Sequence, residues 1–86
     1  MPEISRFYGI RITIYFDDPP PSHFHAEYGE YEAVFSISTG ETINGKLPNT
    51  AKKLVQKWHK LQKDKIVEAW EHIQNDEVFE KVPPLE

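Results

Sequence analysis

The sequence predicts an α+β fold in which an antiparallel β-sheet comes first and helices follow it to cover one face of the sheet. Two observations carry this prediction. The first half of the 86-residue chain alternates apolar and polar residues, whereas the second half repeats its apolar residues at helical spacing. A chain this short is expected to fold as one domain, over residues 1–86.

Four strands are predicted, in a meander that runs through residues 4–16, 23–28, 31–37 and 41–46. The first strand is the clearest, because β-branched and aromatic residues alternate in it with polar ones; its apolar members are Ile10, Ile12, Ile14 and Phe16. The proline-rich run over 17–22 ends that strand, because proline cannot donate a hydrogen bond to a neighbouring strand.

The second and third strands are separated by Gly29-Glu30. This dipeptide suits a type II′ hairpin, because glycine accepts the positive φ of the first turn position. The turn sets the register, so that Phe24 faces Phe35 on an apolar face and Glu27 faces Glu32 on the other. A slip of one residue would expose the apolar set, and the hydrophobic pattern therefore favours the same register.

Two helices are predicted after the sheet, over about 49–62 and 64–75, packed on one sheet face, with one sharply bent helix as the alternative. Asn49 or Thr50 would cap the first helix and Asp64 the second. The division is expected because the apolar stripe changes phase between them and because one straight helix would exceed the roughly 30 Å of a small domain. The tail from Val78 to Glu86 is expected to be extended.

Composition narrows the class of function. The formal net charge is −4, which disfavours a protein that coats nucleic acid, although RNA stays open as a partner. The chain has no cysteine, so thiolate metal sites are excluded, and no cofactor is expected. With no apolar stretch of membrane length and no leader pattern, we expect a cytoplasmic protein without a membrane partner.

The first candidate site lies on the predicted hairpin. His23, His25 and Glu27 alternate along one strand and so share a face, and Glu32 faces Glu27 across the hairpin. Opposed carboxylates repel unless a cation offsets them, either a divalent metal on His23, His25 and Glu27 or an arginine, Arg6 or Arg11. The histidines would also suit acid–base catalysis. The plain alternative is a solvated strand face.

The second candidate is an arginine–tyrosine surface on the sheet, made of Arg6, Tyr8, Arg11 and Tyr15, which suits a stacked base or a protein partner. Ordinary cross-strand pairing would explain it equally well. On the helices, Trp58 and Trp70 are expected in the core. A row of lysines, either a phosphate contact or a solvated face, is formed by Lys52, Lys53, Lys57, Lys60 and Lys63.

Three segments carry a family resemblance. They are Arg6-Phe7-Tyr8-Gly9-Ile10, then Pro20 to Ala26, and Tyr28-Gly29-Glu30-Tyr31. The chain resembles, over essentially its whole length, a family of small bacterial proteins catalogued as domain of unknown function 4160. The resemblance also covers Leu47-Pro48, both tryptophans and the Pro83-Pro84-Leu85 ending.

The resemblance implies a gene arrangement similar to a toxin–antitoxin pair, with the partner encoded by a neighbouring gene and this chain as the toxin-type member. It points to a set of motif residues: Arg6, His23, Phe24, His25, Tyr28 and Gly29. Relatives often carry a further histidine where this chain has Pro19, and that departure weakens a three-histidine metal site.

Three functions follow as hypotheses. The first is a small metal-independent nuclease that uses His25 as base and His23 as acid, with Arg6 or Arg11 on phosphate. The second is a protein-binding or regulatory module without chemistry, and the third a divalent-metal-binding domain. The edge strands of so small a sheet also leave a homodimer open.

Overall fold

A computed structural model describes residues 3–16 and 19–85. It contains five strands and one helix: β1 (Glu3–Phe7), β2 (Ile10–Thr13), β3 (His23–Tyr28), β4 (Tyr31–Ser36), β5 (Thr42–Lys46) and α1 (Asn49–Gln74). The strands lie in sequential order, β1-β2-β3-β4-β5, and every neighbouring pair is antiparallel. The prediction of an α+β fold, with an antiparallel sheet followed by helix, is confirmed.

The strand predicted over 4–16 is wrong in one respect, because it is two strands joined by a tight turn. Tyr8 and Gly9 have φ values of 49° and 78°, and Phe7 pairs with Ile10 on either side of them. Positive φ at both central positions is the mark of a type I′ hairpin turn. The alternation of apolar and polar residues continues through this turn, so the pattern alone predicted one long strand. Phe16 lies beyond β2 and is 51% exposed.

The predicted hairpin between β3 and β4 is confirmed in its register. Tyr28 pairs with Tyr31, Phe24 with Phe35, and Glu27 with Glu32. Gly29 has a φ of 59°, as the first position of a type II′ turn requires. The two hairpins meet where β2 pairs with β3, and the Ile12–Ala26 pair there is buried on the helix side of the sheet.

The two predicted helices are not observed, and the alternative of one bent helix is: α1 has 26 residues, with non-helical backbone angles at Gln62 (φ −117°, ψ 18°). A straight helix of that length would span about 39 Å, whereas the longest extent of the whole molecule is 33 Å. The bend therefore keeps the helical segment within the length of the molecule, as a break between two helices was expected to do. It falls at the predicted change of phase, although no second helix begins at Asp64.

The predicted caps are also absent. The residue before the helix is Pro48, which makes no side-chain cap, and its carbonyl instead accepts a hydrogen bond of 2.9 Å from Lys52 N. Proline at this position needs no donor of its own and fixes φ, so the helix starts without Asn49 or Thr50 acting as the cap.

Trp58 lies in the centre of the core, as predicted, and is fully buried. Its ring lies 5.4 Å from that of Phe7 and 5.5 Å from that of Phe24, so it joins the helix to β1 and β3. Its indole N–H donates a hydrogen bond of 2.9 Å to the carbonyl of Pro83 in the tail. The tail then continues the packing beside β1, where Val82 N donates to Ile4 O at 2.8 Å.

In the part of the chain that the structure describes, no helix is both long enough and apolar enough to span a bilayer.

Candidate functional site

Four rings form a continuous row at the start of β3. The ring centroids of Tyr15 and His25 are 4.4 Å apart, those of His25 and His23 are 5.3 Å apart, and those of His23 and Trp70 are 5.4 Å apart. Phe24, which lies between the histidines in sequence, is fully buried under the helix. Strand alternation therefore directs both histidines to the other side of β3, as the sequence predicted.

A backbone carbonyl and a carboxylate lie beside the two imidazoles. His23 Nδ1 lies 2.9 Å from the carbonyl oxygen of Pro21. A carbonyl only accepts, so Nδ1 carries the hydrogen and Nε2 is the basic nitrogen of the neutral ring. His25 Nδ1 lies 3.6 Å from Glu32 Oε1, and the His25 side chain is only 14% exposed.

Arg6 and Arg11 lie away from this row and bind Glu3 instead. Glu3 Oε1 is 2.7 Å from Arg6 Nη2 and 3.2 Å from Arg11 Nε, and Glu3 Oε2 is 3.9 Å from Lys81 Nζ. The two arginines face each other across β1 and β2, so the shared carboxylate offsets their repulsion. Arg6 stands two strands from the histidines and is not part of their constellation.

The Glu3 cluster makes stability depend on pH. The hydrogen bond from Arg6 lowers the pKa of Glu3 below its usual 4.5, and the charges of Arg6, Lys81 and Arg11 act in the same direction against partial burial. A carboxyl group whose pKa is lower in the folded protein than in the unfolded chain stabilises the fold at pH values above its pKa in the unfolded chain. That stabilisation is lost as the pH falls through its pKa in the folded protein.

We therefore expect Glu3→Gln to reduce the loss of stability between about pH 5 and about pH 3. The measurement is urea unfolding at each pH. Glu71→Gln on the exposed side of α1 is the matched control and should leave the pH dependence unchanged. An identical pH dependence in Glu3→Gln and wild type would contradict the assignment.

A row of charged side chains crosses all five strands beside the histidines. In register across the sheet it contains Arg6, Arg11, Glu27, Glu32 and Lys46. Arg11 faces Glu27, yet the carboxylate within ion-pair distance of Arg11 is Glu3. Among residues 3–16 and 19–85, Glu27 makes no ion pair within 4.0 Å. The row is therefore mixed in sign and only partly neutralised.

Tyr8, the remaining predicted residue, lies at the tip of the β1–β2 hairpin and is 59% exposed. That tip adjoins the Tyr28–Tyr31 end of the second hairpin, because Ile10, which follows the turn, pairs with Tyr28. The histidines lie toward the opposite end of β3. The structure thus separates Tyr8 from the histidines, while it brings Tyr15 and Glu32 next to them.

The set expected for a metal, His23, His25 and Glu27, does not come together as a ligand group. Across the described residues, no three His, Cys, Asp or Glu side chains are placed to hold a metal ion. The carboxylate beside His25 is Glu32 from the neighbouring strand rather than Glu27. The described geometry thus gives a histidine–carboxylate pair and an adjacent histidine.

The family model described as Domain of unknown function (DUF4160) matches residues 9–71, which is most of the 86-residue chain. The chain belongs to this family. A search of curated proteins found no match, and neither did a search of solved structures. The DUF4160 match contains His23, His25 and Glu32, whereas Glu3 and Arg6 precede it. Membership of DUF4160 assigns no activity.

Two residues that contact the predicted candidates were missed by sequence reasoning. Glu3 holds both arginines, and Trp70, which was assigned to the core, is half-buried and flanks His23. Recognition of Tyr8-Gly9 as a turn would have placed Glu3 beside β2, but the pair lacks the Asn-Gly or Asp-Gly signature of such turns. Nothing local in the sequence indicates that the second half of α1 reaches the start of β3.

Proposed function

We propose that this protein is a small metal-independent ribonuclease in which His25 and His23 act as base and acid on a phosphodiester. The observation that carries the proposal is the pair of imidazoles, whose centroids are 5.3 Å apart. Glu32 lies 3.6 Å from one ring, and the Pro21 carbonyl, 2.9 Å from His23, orients the other. A base and an acid held side by side are the groups that this reaction needs.

The two proton transfers of the cleavage need only these two residues. His25 takes the proton of a ribose 2′-hydroxyl while the hydroxyl oxygen forms a bond to phosphorus, and the Glu32 carboxylate lies 3.6 Å from the ring that receives the proton. Protonated His23 gives a proton from Nε2 to the 5′-oxygen as the bond from that oxygen to phosphorus breaks. The products are a 2′,3′-cyclic phosphate and a 5′-hydroxyl, and no metal is required.

The test is cleavage of a labelled single-stranded RNA in the presence of EDTA. We expect wild type to release a cyclic phosphate product, and His23→Ala and His25→Ala each to lower the rate by at least about 100-fold, as loss of an acid–base group does. A DNA strand of the same sequence should not be cut, because it lacks the attacking hydroxyl.

The matched control is His72→Ala, which removes a half-buried histidine on α1 that lies far along the chain from the pair. This variant should cleave as wild type does, and all the variants should keep the wild-type circular dichroism spectrum. Absence of cleavage by wild type, or a wild-type rate in His23→Ala or His25→Ala, would contradict the proposal. A large loss of stability in His25→Ala would assign that ring a structural role instead.

A binding module without chemistry is the second candidate, and the mixed charged row favours it. Arg6 and Glu32 in that row have side chains that are 64% and 55% exposed, so the row presents both signs to a partner. Charges arranged in this way give specificity to protein interfaces. On this account, a complex with the product of a neighbouring gene would survive the change of both histidines to alanine, and RNA would not be cut.

A further inference from the structure

Aromatic rings flank the histidine pair on both sides, and the proposed reaction gives them no part. Between ring centroids, Tyr15 lies 4.4 Å from His25 and Trp70 lies 5.4 Å from His23. The centroids of the two histidines are 5.3 Å apart. Each aromatic ring therefore lies at one end of the row, next to one of the two groups that transfer protons in the proposed reaction.

Both outer rings keep surface that a ligand can reach. Tyr15 and Trp70 are each half-buried, whereas Trp58, the other tryptophan, is fully buried in the core. Their ring planes meet those of the neighbouring histidines at 83° and 51°, so neither outer ring is covered by a parallel stack on its histidine. A partly open aromatic ring is a surface on which any nucleic-acid base can stack, because every base has a π-face.

One side of α1 holds both ends of the row. Trp70 and Gln74 are four positions apart and so lie on the same side of the helix. The Trp70 ring reaches His23 and also packs against the hydrophobic core. Gln74 Nε2 donates a hydrogen bond of 3.2 Å to the backbone carbonyl of Tyr15. The helix thus sets the positions of both aromatic residues in advance, which lowers the entropy cost of binding a ligand there.

The proposed reaction assigns a side of the substrate to each ring. His25 receives the proton of the 2′-hydroxyl, which belongs to the nucleotide on the 5′ side of the cut. His23 gives its proton to the 5′-oxygen of the nucleotide on the 3′ side. Since Tyr15 adjoins His25, the base of the 5′ nucleotide lies nearest to Tyr15. By the same argument, the base of the 3′ nucleotide lies nearest to Trp70.

We propose that these rings stack the two bases that flank the cut, Trp70 the base on the 3′ side and Tyr15 the base on the 5′ side. The inference rests on the ribonuclease function proposed above and adds a substrate class to it, which is unpaired RNA. Two neighbouring bases that stack at opposite ends of the row are splayed apart, and unpaired RNA allows this whereas a duplex does not. Stacking is tolerant of sequence, so no particular base is required.

The test removes one base at a time from a DNA strand that contains a single ribonucleotide, so that only one phosphodiester can be cut. An abasic residue on the 3′ side of the cut should lower the kcat/KM of wild type about tenfold, as loss of one stacked base does. Trp70→Ala should cut the intact strand about tenfold more slowly, and removal of the 3′ base should then cost nothing further, because its stacking partner is gone.

Two further variants complete the comparison. Tyr15→Ala should show the converse pattern, in which only removal of the base on the 5′ side costs nothing further. Trp70→Phe is the matched control, since it keeps an aromatic ring beside His23 and should stay sensitive to the 3′ base. For every protein, the same strand annealed to its complement should be cut at least about tenfold more slowly than the single strand.

Three results would overturn the stacking of the bases. They are wild-type rates that do not change when either base is removed, an equal loss on removal of the 3′ base in wild type and Trp70→Ala, and cutting of the annealed strand at the single-strand rate. The first comparison uses only wild-type protein, so it decides the inference even if Trp70→Ala does not fold. Absence of any cutting of the intact strand by wild type would instead contradict the ribonuclease function, and the inference with it, so the two failures are distinguishable.

Discussion

Replacing Trp58 by alanine is expected to lower the free energy of unfolding by about 4 kcal/mol, within the range for buried aromatic side chains. The ring is fully buried and packs on both Phe7 and Phe24. Its N–H also binds the carbonyl of Pro83, so the change leaves a cavity and a carbonyl without its partner. Because a small domain is stable by only about 5–15 kcal/mol, much of the stability would be lost.

Urea unfolding followed by far-ultraviolet circular dichroism measures this change. Trp58→Phe is the matched variant, since it keeps a ring between Phe7 and Phe24 but loses the hydrogen bond to Pro83. We expect it to cost about 1–2 kcal/mol, the cost of the lost bond and the smaller ring. If both variants cost the same small amount, Trp58 would not be the contact that joins the helix and the tail to the sheet.

Replacing Gly40 by alanine is expected to cost about 3 kcal/mol, for two reasons that act together. Gly40 has a φ of 78°, which a residue with a side chain adopts only with strain. In addition, a Cβ atom there would lie 2.7 Å from His59 Nδ1 and 3.0 Å from its Cε1. The buried imidazole would have to move, and its hydrogen bond to Ile37 would be lost.

Gly29→Ala is the matched control for this prediction. Gly29 also has a positive φ, 59°, but no atom lies within 4 Å of the position that a Cβ would take. The control should therefore show the backbone cost alone, about 1 kcal/mol. Urea unfolding of the two variants side by side measures the difference. Equal costs would show that the approach of His59 to Gly40 contributes nothing to stability.

The candidate site could be predicted only in part. Strand alternation placed His23 and His25 on one face, and the hairpin register placed Glu32 across from Glu27. Pro21 orients His23 from only two residues away, whereas the ring contacts from Tyr15 and Trp70 join separate segments of the chain. No periodicity in a single sequence encodes them, because they depend on how a loop and a helix pack against β3.

The contacts of the two arginines were likewise not predictable from the sequence. The sequence placed Arg6 and Arg11 on an arginine–tyrosine surface and offered both as phosphate contacts, whereas the structure brings them together on Glu3. The deciding feature is the turn at Tyr8-Gly9, where a tyrosine adopts a φ of 49°. Intrinsic preference argues against tyrosine in that conformation, so the turn depends on the pairing of β1 with β2 on either side of it.

By itself the sequence determined the α+β class, the register of the β3–β4 hairpin, the place of Trp58 in the core and membership of the DUF4160 family. The first three follow from hydrophobic period and glycine chemistry, which are local and hence readable along the chain, whereas membership follows from the match to the family model. Only the tertiary structure decided that residues 4–16 turn back on themselves, that α1 bends instead of ending, and that His59 meets Gly40. The first depends on a turn in a conformation that tyrosine disfavours, and the other two depend on packing between segments that are distant in sequence, where burial outweighs local preference.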